Sequence, residues 1–349
     1  MKYIKAILFI LSFTMALIFF SCEKGTEPEP LKPGRRDYFW TIDTLPNSSY
    51  MGELWGSSPS DIWAIGAAGN ITKTIYHFDG DKWSTDNIYR PISPRSIFGF
   101  SKDNIYIGGH NGTIWHYDGS NWAKNAELKK DGNIQVVFEH MWGSSKNDLF
   151  AFGAYPDESL LANNSVIAHY DGSEWAMLNT NGIVGIVNRF YKNEQDGKSY
   201  LLSYRSGGGE FPDSSLIYEC TEGKYNFIYG NYWSHSFQCD ISLINDEVYF
   251  IMGSTIEKRI NDEFQLFLMI TNHNFYQRIW GRNSKDIFLL MTDGLVHYNG
   301  IDMEYLFYFN VTPKTQIYSA MLFENEVFFL TFEYLTNSYL IYHGKLNGG

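Results

Sequence analysis

Five histidines fall at one recurring place in the chain: His77, His116, His169, His297 and His343. Imidazole is the commonest metal ligand and the usual proton shuttle near neutral pH. A metal, however, needs three or four ligands converging within about 2.0–2.3 Å of one point. Equivalent positions of a repeat lie apart, one per unit, so the spacing predicts a repeated structural hydrogen bond. His110, His140, His235 and His273 lie outside the pattern, singly and without HExxH spacing. Asp61, Asp148 and Asp286 also recur, each after a Ser- or Asn-containing turn whose backbone a carboxylate can bond. No D-x-D-x-D-G loop is present, so calcium is not expected. Trp55, Trp142, Trp280, Trp83, Trp122 and Trp175 would stack on sugars if exposed. Their repetition predicts instead that they fill the wedge between packed units. No metal and no cofactor is expected.

The elements that must carry these residues are themselves repeated. WGSSPSDIWAIG (55–66) returns as FGFSKDNIYIGG (98–109), WGSSKNDLFAFG (142–153) and WGRNSKDIFLLM (280–291). A second string follows each: YHFDGDKW (76–83), WHYDGSNW (115–122), AHYDGSEW (168–175) and VHYNGIDM (296–303). The first three copies are 43 and 44 residues apart, a period that marks a repeat architecture. In the first copy, four short strands are expected at 51–56, 61–66, 74–78 and 82–87. Their alternation and their β-branched and aromatic content are those of half-buried strands. Asp79-Gly80, Asp118-Gly119, Asp171-Gly172 and Asn299-Gly300 supply the positive φ of tight hairpins. The unit is then a four-stranded antiparallel meander, the size of a propeller blade.

The same logic places seven units at about 48–88, 92–128, 136–181, 184–229, 234–269, 276–309 and 316–345, with six or eight as neighbouring alternatives. The fold class is all-β, a β-propeller. The last unit stops at Tyr342-His343-Gly344-Lys345, where others continue into a fourth strand. DYFWTID (37–43) resembles the fourth-strand string DKWSTDN, so residues 37–43 are expected to complete blade 7 and leave no open edge.

Composition bounds the setting. The chain has 349 residues, 44% hydrophobic, with net charge −12. Lys2 and Lys5 precede an apolar run, Ala6 to Phe20, followed by Ser21 and Cys22. A positive start, an apolar stretch of this length and a small residue read as an export signal over residues 1–21. Phe19-Phe20-Ser21-Cys22 resembles a bacterial lipobox, which implies lipid attachment at Cys22. Residues 22–35, with three Pro and three Glu, are expected to form a disordered tether, and 36–349 a single domain. Cleavage before Cys22 removes two lysines and leaves 25 basic against 39 acidic residues, a net −14. That disfavours nucleic acid. Cys220 and Cys239 remain, as a disulfide or as two thiols.

WGSSPSDIWAIG followed by HYDGSxW resembles a repeat of bacterial secreted and lipoprotein β-propellers, loosely related to the kelch and galactose-oxidase-like propellers. The kelch glycine pair occurs only as Gly108-Gly109, and the S-x-D-x-G-x-x-W box of sialidases is approached only by Asp118, Gly119 and Trp122. Binding on a rigid scaffold concentrates in loops that break its regularity. Two such loops, 154–165 and 205–215, are enlarged in units three and four. They make Tyr155, Asp157, Glu158, Arg205, Glu210, Phe211 and Asp213 the candidate binding residues, with no catalytic residue assigned. The expected protein is a lipid-anchored, non-catalytic, monomeric module of the cell envelope, in the periplasm or on the outer-membrane surface, with a protein or glycan partner. The competing readings are a glycan-active hydrolase or lyase, or an accessory subunit of an outer-membrane nutrient-uptake complex.

Overall fold

The computed structural model describes residues 31–45, 50–66, 72–209, 212–233, 238–310 and 315–348. The propeller is contained in Pro33–Gly349. Its described strands form seven four-stranded antiparallel sheets. Blades 1 to 6 span 53–84, 94–127, 137–177, 186–232, 239–269 and 275–308, each running in sequence from inner to outer strand. Blade 7 takes its first three strands from 315–346 and its outer strand from Tyr38–Leu45.

The expected ring closure is what the structure shows. Tyr38–Leu45 pairs antiparallel with the chain's last strand, from Tyr38 opposite Leu346 to Leu45 opposite Tyr339. The lead-in is also fastened. Gly34 donates its N–H to the carbonyls of Lys285 and Asn299 in blade 6. Arg36 bonds the carbonyls of His297 and Asp302 and pairs with Asp302 and Glu304.

The hydrophobic core sits between blades. Each of seven buried clusters spans one junction. Trp55, Ile65, Ile97 and Ile107 join blades 1 and 2; Phe152, Val187, Phe190 and Tyr218 join blades 3 and 4; Leu45, Leu54, Tyr76, Phe328 and Ile341 join blades 7 and 1. Each fully buried side chain of this size stabilises by about 1.5–3 kcal/mol. The tryptophans behave as their repetition predicts. Trp55 lies against Gly99 of blade 2, where an added Cβ would come within 2.6 Å of the indole. Trp142 meets Phe190 and Tyr191 of blade 4, and Trp280 meets Phe329 of blade 7. The outer-strand residues Trp122 and Trp175 reach back to Trp63 and Tyr106 of the preceding blade.

Two details differ from the expectation. The outer strand of blade 1 is only Trp83–Ser84. Beyond it, Asp86 accepts the Ile88 N–H and Asn87 takes φ 56°, so local turn chemistry displaces the ladder. In the hairpin turns only the glycine takes positive φ, as at Gly80 with 96°. Asp79 works through its side chain, accepting the N–H groups of Asp81 and Lys82. Cys220 and Cys239 are both free thiols.

Deleting residues 36–44 should abolish cooperative unfolding or lower the thermal midpoint by well over ten degrees, whereas removing 23–33 should leave it unchanged. Circular-dichroism melts of the two truncations check this, and equal midpoints would sink the closing role of the strand.

Candidate functional site

The strand directions give the disc two distinct faces. The inner and third strands of a blade run one way, the second and fourth the other. One face therefore carries the turns between first and second and between third and fourth strands. The opposite face carries the loops between second and third strands and the connections between blades. The first is here the turn face and the second the loop face.

The repeated histidines lie near the turn face, and each closes a three-part unit. His77, His116, His169, His297 and His343 bond Asp61, Asn104, Asp148, Asp286 and Glu326 through Nε2, at 2.7–2.9 Å. Each ring also lies on its cross-strand aromatic neighbour: Trp63, Tyr106, Phe150, Phe288 or Phe328. The structural hydrogen bond expected for the histidines is present. The expected role of the aspartates needs correction. Their second oxygen goes to a serine hydroxyl, Ser57 or Ser144, or to Arg282, rather than to the turn backbone. Burial pushes the Asp61 and Asp286 carboxyls up, but their hydrogen bonds outweigh it and hold both below the usual carboxylate range. Among the described residues no group of three or more His, Cys, Asp or Glu could hold a metal. His235 lies outside them.

The enlarged loops do come together on the loop face. Asn163 donates to the Ser206 carbonyl and accepts the Ser206 N–H. Their candidate residues mostly serve the loops themselves. Tyr155 donates its hydroxyl to Asp131 in the preceding connection. Asp157 accepts the N–H groups of Ser159 and Leu161, and Asp213 that of Gly207. Glu158 and Arg205 are exposed. Glu210 and Phe211 lie outside the described residues, as does Cys22. None of the described five lines the central channel.

The channel holds the polar residues that the repeat does not explain. A cavity of about 280 Å³ opens toward the loop face and a second of about 170 Å³ lies beyond it. Both are lined by Glu53, His140, Arg189, Asp240 and Arg278, which therefore form the waist between them. All five occupy one position of the inner strand, and the four that keep the ladder register each face an apolar residue of the second strand. Glu53 faces Ile65, His140 faces Phe152 and Arg189 faces Leu202. Blades 2 and 7 place Ser96 and Ser319 there. In five blades the ladder is irregular at or just before this position, and the residue preceding it is Arg95, Glu139, Asn188, Gln277 or Tyr318. All five line the loop-face cavity. A bulge re-aims a side chain that strict pleating would turn into the sheet packing.

Most of these groups are engaged across blade junctions. Glu53 accepts the Ile97 N–H and pairs with His140 Nδ1. His140 Nε2 lies 3.2 Å from Arg189 Nη1 and 3.1 Å from Asn188 Nδ2. Arg95 bonds Glu139 through two nitrogens, at 2.8 and 2.6 Å. Asp240 accepts its neighbour Ile241 N–H and lies 3.9 Å from Arg189. Burial opposes the Arg189 charge, but Asp240 outweighs it and holds the guanidinium above its usual value. Burial and the Arg189 charge hold Arg278 below its own.

No known family's sequence pattern matches the chain, and no curated protein matches it in sequence. Solved structures do match its shape. YCF48 bound to D1 peptide aligns with TM-score 0.59 at 16% identity, over 89% of this chain and 99% of that one. YCF48 from Cyanidioschyzon merolae aligns with TM-score 0.58 at 13%, over 87% and 98%. The WD40 β-propeller domain of Doa1 aligns with TM-score 0.55 at 9%, over 88% and 96%. At these identities the likeness shows the propeller fold.

Asp286→Ala should cost about 3 kcal/mol in urea unfolding, because it strips Arg282 and the fully buried His297 of a shared partner. Asn104→Ala, at a half-buried site, should cost about 1 kcal/mol. The folded Asp286 ionises at lower pH than the unfolded carboxyl, so below the ordinary value of about 3.9 the unfolded chain binds more protons. Its contribution is complete above that pH and lost as pH falls through the folded value. Asp286→Asn should therefore flatten the acid limb of the stability profile.

Proposed function

We propose that this chain is an exported, lipid-anchored binding module whose partner is a protein segment engaging the loop-face mouth of the channel. The carrying observation is the inner-strand position that differs from blade to blade, Glu53, His140, Arg189, Asp240 and Arg278, flanked by bulged residues that turn into the cavity. A scaffold needs the same residue in every blade, whereas recognition needs different ones. The mouth also presents amides at Asn188, Gln238, Gln277 and Gln316 and aromatic rings at Tyr50, Tyr276 and Tyr318, a lining that suits an extended peptide. A propeller of like fold, YCF48, has been solved with a peptide, which supports the reading.

A glycan-active enzyme is less well supported. It needs an acid and a base held free on either side of a bond. The cavity's three carboxylates, Glu53, Glu139 and Asp240, are each committed to a cation, a histidine or a backbone N–H. The lipobox string ending at Cys22 and the acidic tether after it support attachment to the envelope, with the disc held off the bilayer.

A photoreactive residue at Tyr276, in the mouth, should cross-link an envelope protein in intact cells, while one at Ser120, on a turn-face hairpin, should not. Cross-linking of equal yield from both positions, or from neither, would refute a protein partner at the mouth. Radiolabelled palmitate should enter the wild-type chain and not Cys22→Ala. Incorporation into both would remove the lipobox.

A further inference from the structure

The arginines around the channel are satisfied unequally. Arg95 has Glu139, and Arg189 has Asp240, His140 and the Asn188 carbonyl. Arg278 has no hydrogen bond or ion pair to any described residue. It lies over the face of Trp280, 5.2 Å from guanidinium carbon to ring centroid, and feels the Asp240 charge only through space. It sits half-buried at the waist, where Arg189 is close enough for the like charges to act on each other. The backbone delivers it there at a cost. Gln277, the residue before it, takes φ 47° inside the irregular stretch of the inner strand. A non-glycine residue in that conformation is strained by about 1–2 kcal/mol. A buried cation usually has a partner from the fold itself, because leaving it unpaired costs solvation.

We propose that Arg278 anchors a carboxylate of the bound segment, an acidic side chain or a free C-terminus, which enters from the loop face and is gripped with help from Arg189. This rests on the reading that the loop-face mouth is the binding site. The charge balance selects the class of anion. Glu53, Glu139 and Asp240 offset Arg95, Arg189 and Arg278, and His140 is held against Glu53, so the lining carries no large excess of positive charge. A doubly charged phosphate would face Glu53 and Asp240 at close quarters. A singly charged, planar carboxylate matches the guanidinium fork in two parallel hydrogen bonds. The side-chain amides of Gln238 and Gln316 line the same cavity with no partner among the described residues. They can donate to and accept from the peptide groups flanking that carboxylate.

The test uses the full-length protein in detergent and reads its thermal midpoint while glutarate is titrated at constant ionic strength. Ligand that binds only the folded state raises the midpoint in a saturable way. Glutarate should do so, and its neutral diamide, glutaramide, should not. Arg278→Met should abolish the response, and Arg278→Lys should weaken it about tenfold, keeping charge without the fork. Because Arg278 has no hydrogen bond or ion pair to a described residue and burial and the Arg189 charge oppose its own, Arg278→Met without ligand should melt little or no lower than wild type. The assignment is overturned if wild type ignores glutarate, if phosphate or glutaramide acts as strongly, if Arg278→Met still responds, or if its unliganded midpoint falls sharply. The Tyr276 cross-link separates the two readings. Cross-linking without a glutarate response leaves the mouth and removes the carboxylate anchor. A glutarate response without cross-linking leaves the anchor and removes the protein partner.

Discussion

Everything in this propeller depends on closing a ring whose apolar cores lie between its sheets. A four-stranded blade of this kind buries little by itself, because both faces are wedge surfaces that need a neighbour. The seven clusters of buried side chains each draw on two adjacent blades, and the last of them joins blade 7 to blade 1. That junction includes Leu45, at the end of the N-terminal strand. Chain ends far apart in sequence must therefore meet before two adjacent blades are complete. The polar bonds follow the same plan. Glu53 to the Ile97 N–H, Ser96 to the Phe138 carbonyl, Ser242 to the Ile279 carbonyl and the Leu54 N–H to Ser319 each tie one inner strand to the next.

The architecture was largely legible because it is written in periodic signals. Aromatic spacing, Asp-Gly turns and the unmatched string at 37–43 each correspond to one physical requirement: wedge filling, hairpin chirality and edge closure. The closing strand was visible because blade 7 lacked a fourth strand and the N-terminus held a spare one. The candidate site was much less legible. Searching for irregular loops led to Tyr155, Asp157 and Asp213, whose polar atoms are spent on stabilising those loops. The channel residues sit inside the repeat, two or three positions before the Trp or Phe that opens each copy. A signal was there, since Glu53, His140 and Arg278 all stand two before the Trp that opens a copy. What sequence alone could not supply was the set of bulges, which decides whether Arg95, Glu139 or Gln277 points into the channel or into a wedge.

The turn face and the channel divide the labour. Near the turn face, acid or amide, aromatic and histidine recur with little variation, and each histidine bonds its acid or amide within its own blade. That leaves the inner strands anchored at one end. Their other ends are free to vary, and it is there that the pleat is broken and the residues change from blade to blade. The same strand thus carries a constant end that holds the sheet and a variable end that faces a cavity.

The fastening of the lead-in has a mechanical consequence. Tension on the segment ahead of Gly34 meets Gly34 and Arg36 before the closing strand, and these grip the carbonyls of Lys285, Asn299, His297 and Asp302 in blade 6. Only after those contacts give way does tension reach Tyr38 and begin to peel the closing strand from blade 7. The clamp on blade 6 acts as a strain relief: it shields the seam of the ring from tension on the segment ahead of it.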